Sequence, residues 1–255
     1  MDFNDKVVVI TGGANGIGRC LVEEFLKVGA YVAFIDIDTE AAAKLVSKYN
    51  SEKLLFVQGD IANEEAIVNF VKEVVGRFGQ VDYLINNACI SKKGVLSKCS
   101  FDDFNYVLRI GVSAPYMLTM LLLEHFRPNA AIVNIASSRA FMSQKDTESY
   151  SAAKGGISAL THALSISLAG KVRVNSISPG WIDTGAFGEL SLEDILQHPV
   201  KRVGHPLDIA KMVFFLCGEG SGFITGESFT VDGGMSKQMI YHGEHGWTYT
   251  PSDDM

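Results

Sequence analysis

Lys6-Val7-Val8-Val9-Ile10-Thr11-Gly12-Gly13-Ala14-Asn15-Gly16-Ile17-Gly18 is the stretch that decides the fold. It opens as a β-branched run of strand length, continues as a glycine-rich turn, and passes from Ile17 into apolar spacing with a helical period. Glycine tolerates the tight turn and lets backbone N–H groups approach a bound group closely. The helix that starts there points the positive end of its dipole at the same place, so strand, turn and helix start form an anion site suited to a pyrophosphate.

The alternation continues outward from this unit. Strands are expected at Val7 to Thr11, Tyr31 to Asp36, Leu54 to Gln58, Tyr83 to Asn86, Ala131 to Ala136, Val172 to Ser178 and Ser228 to Val231. Between them, helical patterns run over Ile17 to Val28, Glu40 to Tyr49, Glu64 to Phe78, Phe101 to Phe126, Ser149 to Leu168 and Leu207 to Cys217. Such alternation marks βαβ units, hence an α/β protein with a Rossmann-like, doubly wound parallel sheet of six to seven strands. With 47% hydrophobic residues the 255-residue chain can fill one large core. No Pro/Ser-rich linker or short repeat divides it, so a single dinucleotide-binding and catalytic domain is expected over residues 1–236, with a tail over 237–255. The weakly patterned segment from Thr184 to Pro206 is expected as a loop covering a ligand site, and the tail as a segment that frays or packs on another subunit.

The second expected strand ends at Asp36, about 20 residues beyond the turn, where a carboxylate can accept both hydroxyl protons of an adenosine ribose. The same charge repels a 2′-phosphate, so NAD is expected as cofactor in preference to NADP. Asn15 stands where a basic side chain would have assisted a phosphate. Taken alone, Asp36 could be an ordinary solvated acid at a strand end.

Tyr150 and Lys154 are four apart at the opening of a helical stretch, so they share one face. An ammonium beside a phenol stabilises its phenolate and lets it exchange a proton nearer neutral pH. Ser137 follows the strand Ala131 to Ala136, at the carboxyl end where open α/β sheets bind ligands, and can orient a substrate oxygen. Arg139, Phe141, Lys145 and Glu148 lie between Ser137 and Tyr150, so some of them are expected to border the substrate, with Trp181 and His198 on the other side.

From about Asp5 to Ser236 these residues resemble the short-chain dehydrogenase/reductase family. Thr11, Gly12, Gly16 and Gly18, with Asn15 and Ile17 among them, look like its cofactor turn. Asp60 and the adjoining Ile61 resemble the acid segment near the adenine. Asn86-Asn87-Ala88 resembles its NNAG motif, with Cys89 in place of the last glycine. Ser137, Tyr150 and Lys154 match its catalytic serine, tyrosine and lysine; Pro179, Gly180, Ile182 and Thr184 resemble the turn that meets the nicotinamide, and Gly226 to Gly234 its last strand. The resemblance implies hydride transfer between NAD(H) and a secondary alcohol or ketone, with Tyr150 as acid/base, Lys154 tuning it and positioning the ribose, and Ser137 orienting the oxygen. It also implies a homodimer or homotetramer joined through the helices Phe101 to Phe126 and Ser149 to Leu168.

One position departs from the family. Where it places an asparagine that helps hold a water in the proton path, this chain has Gly111, in Gly111-Val112-Ser113-Ala114-Pro115-Tyr116. Either a water completes the path, or the chain is an NAD-binding sensor or scaffold with weak catalysis. A neutral glycine in a kinked helix is the plainer account.

The net charge of −7 excludes a general affinity for nucleic acid or anionic lipid, leaving a small molecule as the expected partner. Cys20, Cys89, Cys99 and Cys217 lack CxxC spacing and are expected as reduced thiols, which points to the cytoplasm. No basic leader or cleavage site precedes the first strand. The apolar run Tyr116 to Leu123 is only about a third to a half of the ~20 residues a membrane helix needs. His242 and His245 are better read as surface chemistry than as a metal site, and none is expected.

Overall fold

The run Val7–Thr11 forms β1, all five residues buried, in a computed structural model that describes residues 2–185, 188–244, 246–248 and 250. It pairs in parallel with β2 (Tyr31–Asp36) on one side and β4 (Val81–Asn86) on the other. With β3 (Leu54–Gln58), β5 (Phe126–Ile135), β6 (Val172–Pro179) and β7 (Ser228–Val231), they make one seven-stranded parallel sheet of order β3-β2-β1-β4-β5-β6-β7. The chain therefore winds outward from β1 to β3 and restarts on β1's other side at β4. The carboxyl ends of β1 and β4 flank this switch point, where such sheets bind ligands.

Side chains alternate across the sheet. Val8 and Ile10 of β1 join one apolar cluster with Leu21 and Phe25 of α1 (Gly16–Lys27), Ala42 of α2 (Thr39–Tyr49) and Val213 of α8 (Pro206–Cys217). Val7 and Val9 join the opposite cluster with Phe70 and Val74 of α3 (Glu64–Phe78), Leu118 of α5 (Ala114–Leu122) and Leu164 of α6 (Glu148–Ser167). Both faces of the sheet are covered, which is why β1 reads as a continuous apolar run.

The expected helix Phe101 to Phe126 is divided. It begins as α4 (Phe101–Leu108), whose first turn is capped by Ser100 accepting from the Asp103 N–H. A π-helical turn follows over Arg109–Ser113, then α5 (Ala114–Leu122) and a closing 3₁₀ turn at Leu123–His125. The continuous helical run Phe101–His125 contains an 18-residue window of mean hydropathy 1.5 and is long and apolar enough to cross a membrane by composition. It is thus longer than the run seen in sequence, but Ile110, Leu118 and Leu122 bury one side of it on the sheet. β5 starts at Phe126, earlier than the expected Ala131, because Pro128 holds the preceding residue extended; Phe126 pairs with Val81.

α6 (Glu148–Ser167) precedes β6, and α8 (Pro206–Cys217) precedes β7. The segment expected as a loop from Thr184 to Pro206 contains α7 (Leu192–Leu196), opened by a reciprocal cap between Ser191 and Asp194. Ala186 and Phe187 in that segment, and His245, Tyr249 and residues 251–255 of the tail, lie outside the described residues. The His242 ring meets the Trp247 ring edge-on.

Candidate active site

The glycine turn leaves β1 at Thr11 and is held from three directions. Gly12 donates its N–H to Ile35 O at 2.8 Å. The Asn87 amide donates to Thr11 O and Gly12 O, both at 3.0 Å, and the Asn87 and Ala88 N–H groups converge on Thr11 Oγ1. Gly12 has φ +68°, and a Cβ there would lie 2.9 Å from Ala88 Cα; one at Gly18 would lie 1.9 Å from Gly12 O. Only glycine allows this turn to fold back on its own helix. Thr184, on the segment leaving β6, comes over it, its methyl 3.2 Å from where a Gly16 Cβ would stand.

Asp36 ends β2 beside the turn and accepts from Ala14 N at 2.9 Å and Asp38 N at 3.0 Å. Asp38 in turn accepts from the Asn15 amide at 2.8 Å. Two carboxylates therefore stand at this exit. Asp60 accepts from Ala62 N and from the Tyr106 hydroxyl, each at 2.9 Å, while the Ile61 side chain turns into the core. Ile17 packs against the first apolar cluster.

Across the switch point, β5 ends below Ser137, whose Oγ accepts from Arg139 N at 3.2 Å. The first turn of α6 brings Tyr150 to the same place. Its hydroxyl lies close enough to both Ser137 and the Cys89 thiol for each to act on its pKa. Burial, and next the negative charge that Cys89 can carry, push the Tyr150 phenol above its ordinary value; the Ser137 hydrogen bond and the Arg139 charge pull it back. Lys154 is 3% exposed and donates to Ile135 O at 2.6 Å. Its Nζ lies 5.5 Å from the centroid of the Tyr150 ring, and burial holds its pKa below the ordinary lysine value.

Ser137, Tyr150 and Lys154 are thus brought together, with the glycine turn, Asn87 and Thr184 around the switch point. Pro179 closes β6, the Gly180 N–H beyond it donates to Val231 O, and Ile182 bridges to Gly204. Trp181 and His198 line a cavity of about 210 Å³ with Ile182 and Asp232, which none of Ser137, Tyr150 and Lys154 lines. Of the residues between Ser137 and Tyr150, Glu148 accepts from Val95 N, and Arg139 lies over the Tyr150 ring with Cζ 5.6 Å from its centroid. The contact of Cys89 with Tyr150 was signalled in sequence only by its replacement of a glycine.

Gly111 sits in the π-helical turn against α6. A Cβ there would lie 2.7 Å from Ala153 Cβ, beside Lys154 in the chain. The glycine is what lets the two helices approach.

Comparison with known proteins agrees with this geometry. Residues 12–236 match a family model described as enoyl-(acyl carrier protein) reductase. An uncharacterised oxidoreductase of Thermotoga maritima is 42% identical over 250 residues, which cover 92% of this chain and 98% of the relative. The structure of an apo SCOR enzyme from Clostridium thermocellum superposes with a TM-score of 0.92 at 44% identity, over 97% of this chain and 99% of that one. At 30% identity and 92% of this chain, a 3-ketoacyl-(acyl-carrier-protein) reductase from Brucella melitensis complexed with NADH (TM-score 0.84, 99% of that chain) is similar. So is a blue fluorescent protein from a metagenomic library in complex with NADPH (TM-score 0.85, 100% of that chain). The chain belongs to the short-chain dehydrogenase/reductase family of oxidoreductases, whose members bind nicotinamide cofactors and act on small molecules.

Proposed function

We propose that this protein transfers a hydride between NAD(H) and a secondary alcohol or ketone. The observation that carries the reading is the convergence of Ser137, Tyr150 and Lys154 on one point at the carboxyl edge of the sheet, across the switch point from the glycine turn. The turn fits a dinucleotide: its glycines keep a cradle that a Cβ would fill, and α1 starts beneath it. Thr11, Gly12, Asn15, Gly16, Ile17 and Gly18 would hold the pyrophosphate side. Asp36 would hold the ribose, and Asp60, Ile61, Asn87 and Ala88 the adenine side. Pro179, Gly180, Ile182 and Thr184 would hold the nicotinamide. When bound, the cofactor supplies or accepts the hydride.

Ser137 donates a hydrogen bond to the substrate oxygen. Tyr150 gives its proton to that oxygen as a ketone is reduced, or takes it as an alcohol is oxidised. Lys154 lies over the ring, where its charge favours the phenolate, and its buried seat keeps the charge unscreened. The acids Asp36 and Asp38 at the β2 exit disfavour a 2′-phosphate, which supports NAD over NADP. All four cysteines are free thiols, in keeping with a cytoplasmic site of action. Exposed Tyr116, Met120 and Ile166 on α5 and α6 support a homodimer or homotetramer through those helices.

The test is a panel of secondary alcohols offered with NAD⁺ and, separately, NADP⁺, following reduced nicotinamide by absorbance. Turnover with NAD⁺ and at least one class of alcohol is expected. Tight NAD(H) binding with no turnover across the panel, or in the reverse direction with ketones, would instead favour an NAD-binding sensor or scaffold. The close packing of Gly111 on Ala153, at the position of the family's catalytic asparagine, is the observation behind that second reading.

A further inference from the structure

Two cations stand near the Tyr150 ring, and they are held differently. Lys154 is sequestered, 3% exposed, with its ammonium on a backbone carbonyl. Arg139 is half-buried. Its backbone N–H is tied to Ser137 Oγ, which fixes its origin beside the reacting groups. Its guanidinium lies over the Tyr150 ring, and its charge partly offsets the rise that burial imposes on the Tyr150 phenol. The side-chain group that holds the guanidinium is the Gln144 amide oxygen, a neutral acceptor.

No carboxylate among the described residues lies within ion-pair distance of Arg139, although the chain carries a net charge of −7 and ten other ion pairs form. The nearby acids are engaged elsewhere: Glu148 accepts from Val95 N, and Asp146 from Ser97 N and Ser97 Oγ. A guanidinium presents a planar fork of donors that matches a carboxylate or phosphate in a bidentate pair. Here that fork is pre-positioned by a backbone hydrogen bond and an aromatic face, with its charge uncompensated, close enough to Tyr150 for one small molecule to touch both.

We infer that the substrate is an anion, an oxo or hydroxy compound whose carboxylate or phosphate pairs with Arg139 while its reacting oxygen lies between Ser137 and Tyr150. The inference rests on the hydride-transfer reading above and adds the chemical class of the substrate. Gln144 holds the guanidinium in the free protein and yields it to the incoming anion, which forms the stronger, charge-assisted bond.

The experiment compares acetoacetate and 2-oxobutyrate with their uncharged amides, and hydroxyacetone phosphate with hydroxyacetone. Each is assayed with the wild-type protein, Arg139→Gln and Arg139→Lys at saturating NADH. At least one acid or the phosphate is expected to exceed its uncharged partner in kcat/KM. Arg139→Gln should cost the anion about 10- to 100-fold more than its uncharged partner, the difference expected for one charge-assisted pair over any loss both share through Tyr150; Arg139→Lys should fall between. The acid and phosphate arms show which anion fits. Equal losses on charged and uncharged compounds would reduce Arg139 to a positioning residue for Tyr150 and overturn the inference. Binding of the same compounds to the NADH-loaded protein, read by nicotinamide fluorescence, decides the matter apart from catalysis. Anion affinity that drops in Arg139→Gln upholds the inference even if turnover fails and the hydride-transfer reading with it; anion affinity that is absent, or unchanged by the substitution, overturns it.

Discussion

Replacing Gly111 with alanine adds one methyl to a place where two helices already touch. The new Cβ would stand 2.7 Å from Ala153 Cβ and 3.7 Å from Ala153 Cα, whereas carbon atoms settle at about 3.5–4.0 Å. A shortfall of roughly 1 Å cannot be absorbed by a rotamer change, because both methyls are bonded directly to backbone. Either α6 shifts or the π-helical turn opens. Overpacking of this kind costs about 1–3 kcal/mol, and a helical glycine-to-alanine change returns about 1 kcal/mol in backbone entropy. The net expectation is a loss of about 1 kcal/mol, which for a chain of this size lowers Tm by roughly 2–4 °C.

The sharper measurement is a double-mutant cycle by urea denaturation. Ala153→Gly alone should cost about 1 kcal/mol in helix propensity. Combined with Gly111→Ala it removes the clash, so the pair should be more stable than the sum of the single changes by about 1–3 kcal/mol. Additivity within about 0.5 kcal/mol, or a Gly111→Ala protein more stable than wild type, would refute the claim that Gly111 is there to admit α6. Gly111→Asn adds an amide to the same clash. Its effect on turnover is therefore readable only in the Ala153→Gly background.

Three further outcomes are expected. Tyr150→Phe should retain NAD(H) affinity by calorimetry and lose about 10²–10⁴-fold in turnover, since it deletes the exchangeable proton and keeps the ring; near-normal turnover would move the acid/base role elsewhere. NAD(H) should bind more tightly than NADP(H), and Asp36→Ala should narrow the gap while weakening the turn, because the same carboxylate also anchors Ala14 N; wild-type preference for NADP(H) would remove the ribose role from Asp36. Cys89→Ala should move the alkaline rise of kcat/KM for alcohol oxidation to lower pH, because Cys89 is among the groups that hold the Tyr150 phenol up and its removal favours the phenolate; a limb that stays in place would separate Cys89 from Tyr150.

Where a property belongs to a short stretch of chain, it was legible in the sequence. β1, β2, β3 and β7 fall on the residues expected from β-branched runs, and α3 on its helical period. The spacing of Tyr150 and Lys154, and the place of Ser137 after β5, were likewise readable, because a helix face and a strand end are local facts. What was not readable depends on partners far away in the chain. Nothing around Asp36 announces that it holds Ala14, or around Asn87 that its amide spans two carbonyls of the turn. Nothing around Trp181 and His198 announces that the return of the chain past β7 encloses them with Ile182 and Asp232. Among Arg139, Phe141, Lys145 and Glu148, only the folded arrangement singles out the residue over the Tyr150 ring.

The wide turn at Arg109–Ser113 also has a consequence for phase. A π-helical turn holds one residue more than the α-helical turn it replaces, and each residue advances a helix by about 100°. The widened turn absorbs the added residue, so α4 and α5 keep a common buried face: Val107 before the turn, Ile110 within it, and Ala114, Leu118 and Leu122 after it are all buried. Deleting one residue of the turn would close it to a regular α-helical turn with the flanking phase kept, whereas a deletion within α4, which has no spare residue, would rotate everything beyond it by about 100°. Exposed Tyr116 and Met120 would then exchange places with core residues, and Gly111 would no longer face Ala153. The turn is thus one residue of slack stored in the helix, where a change in length disturbs the flanking halves less than it would within α4 or α5.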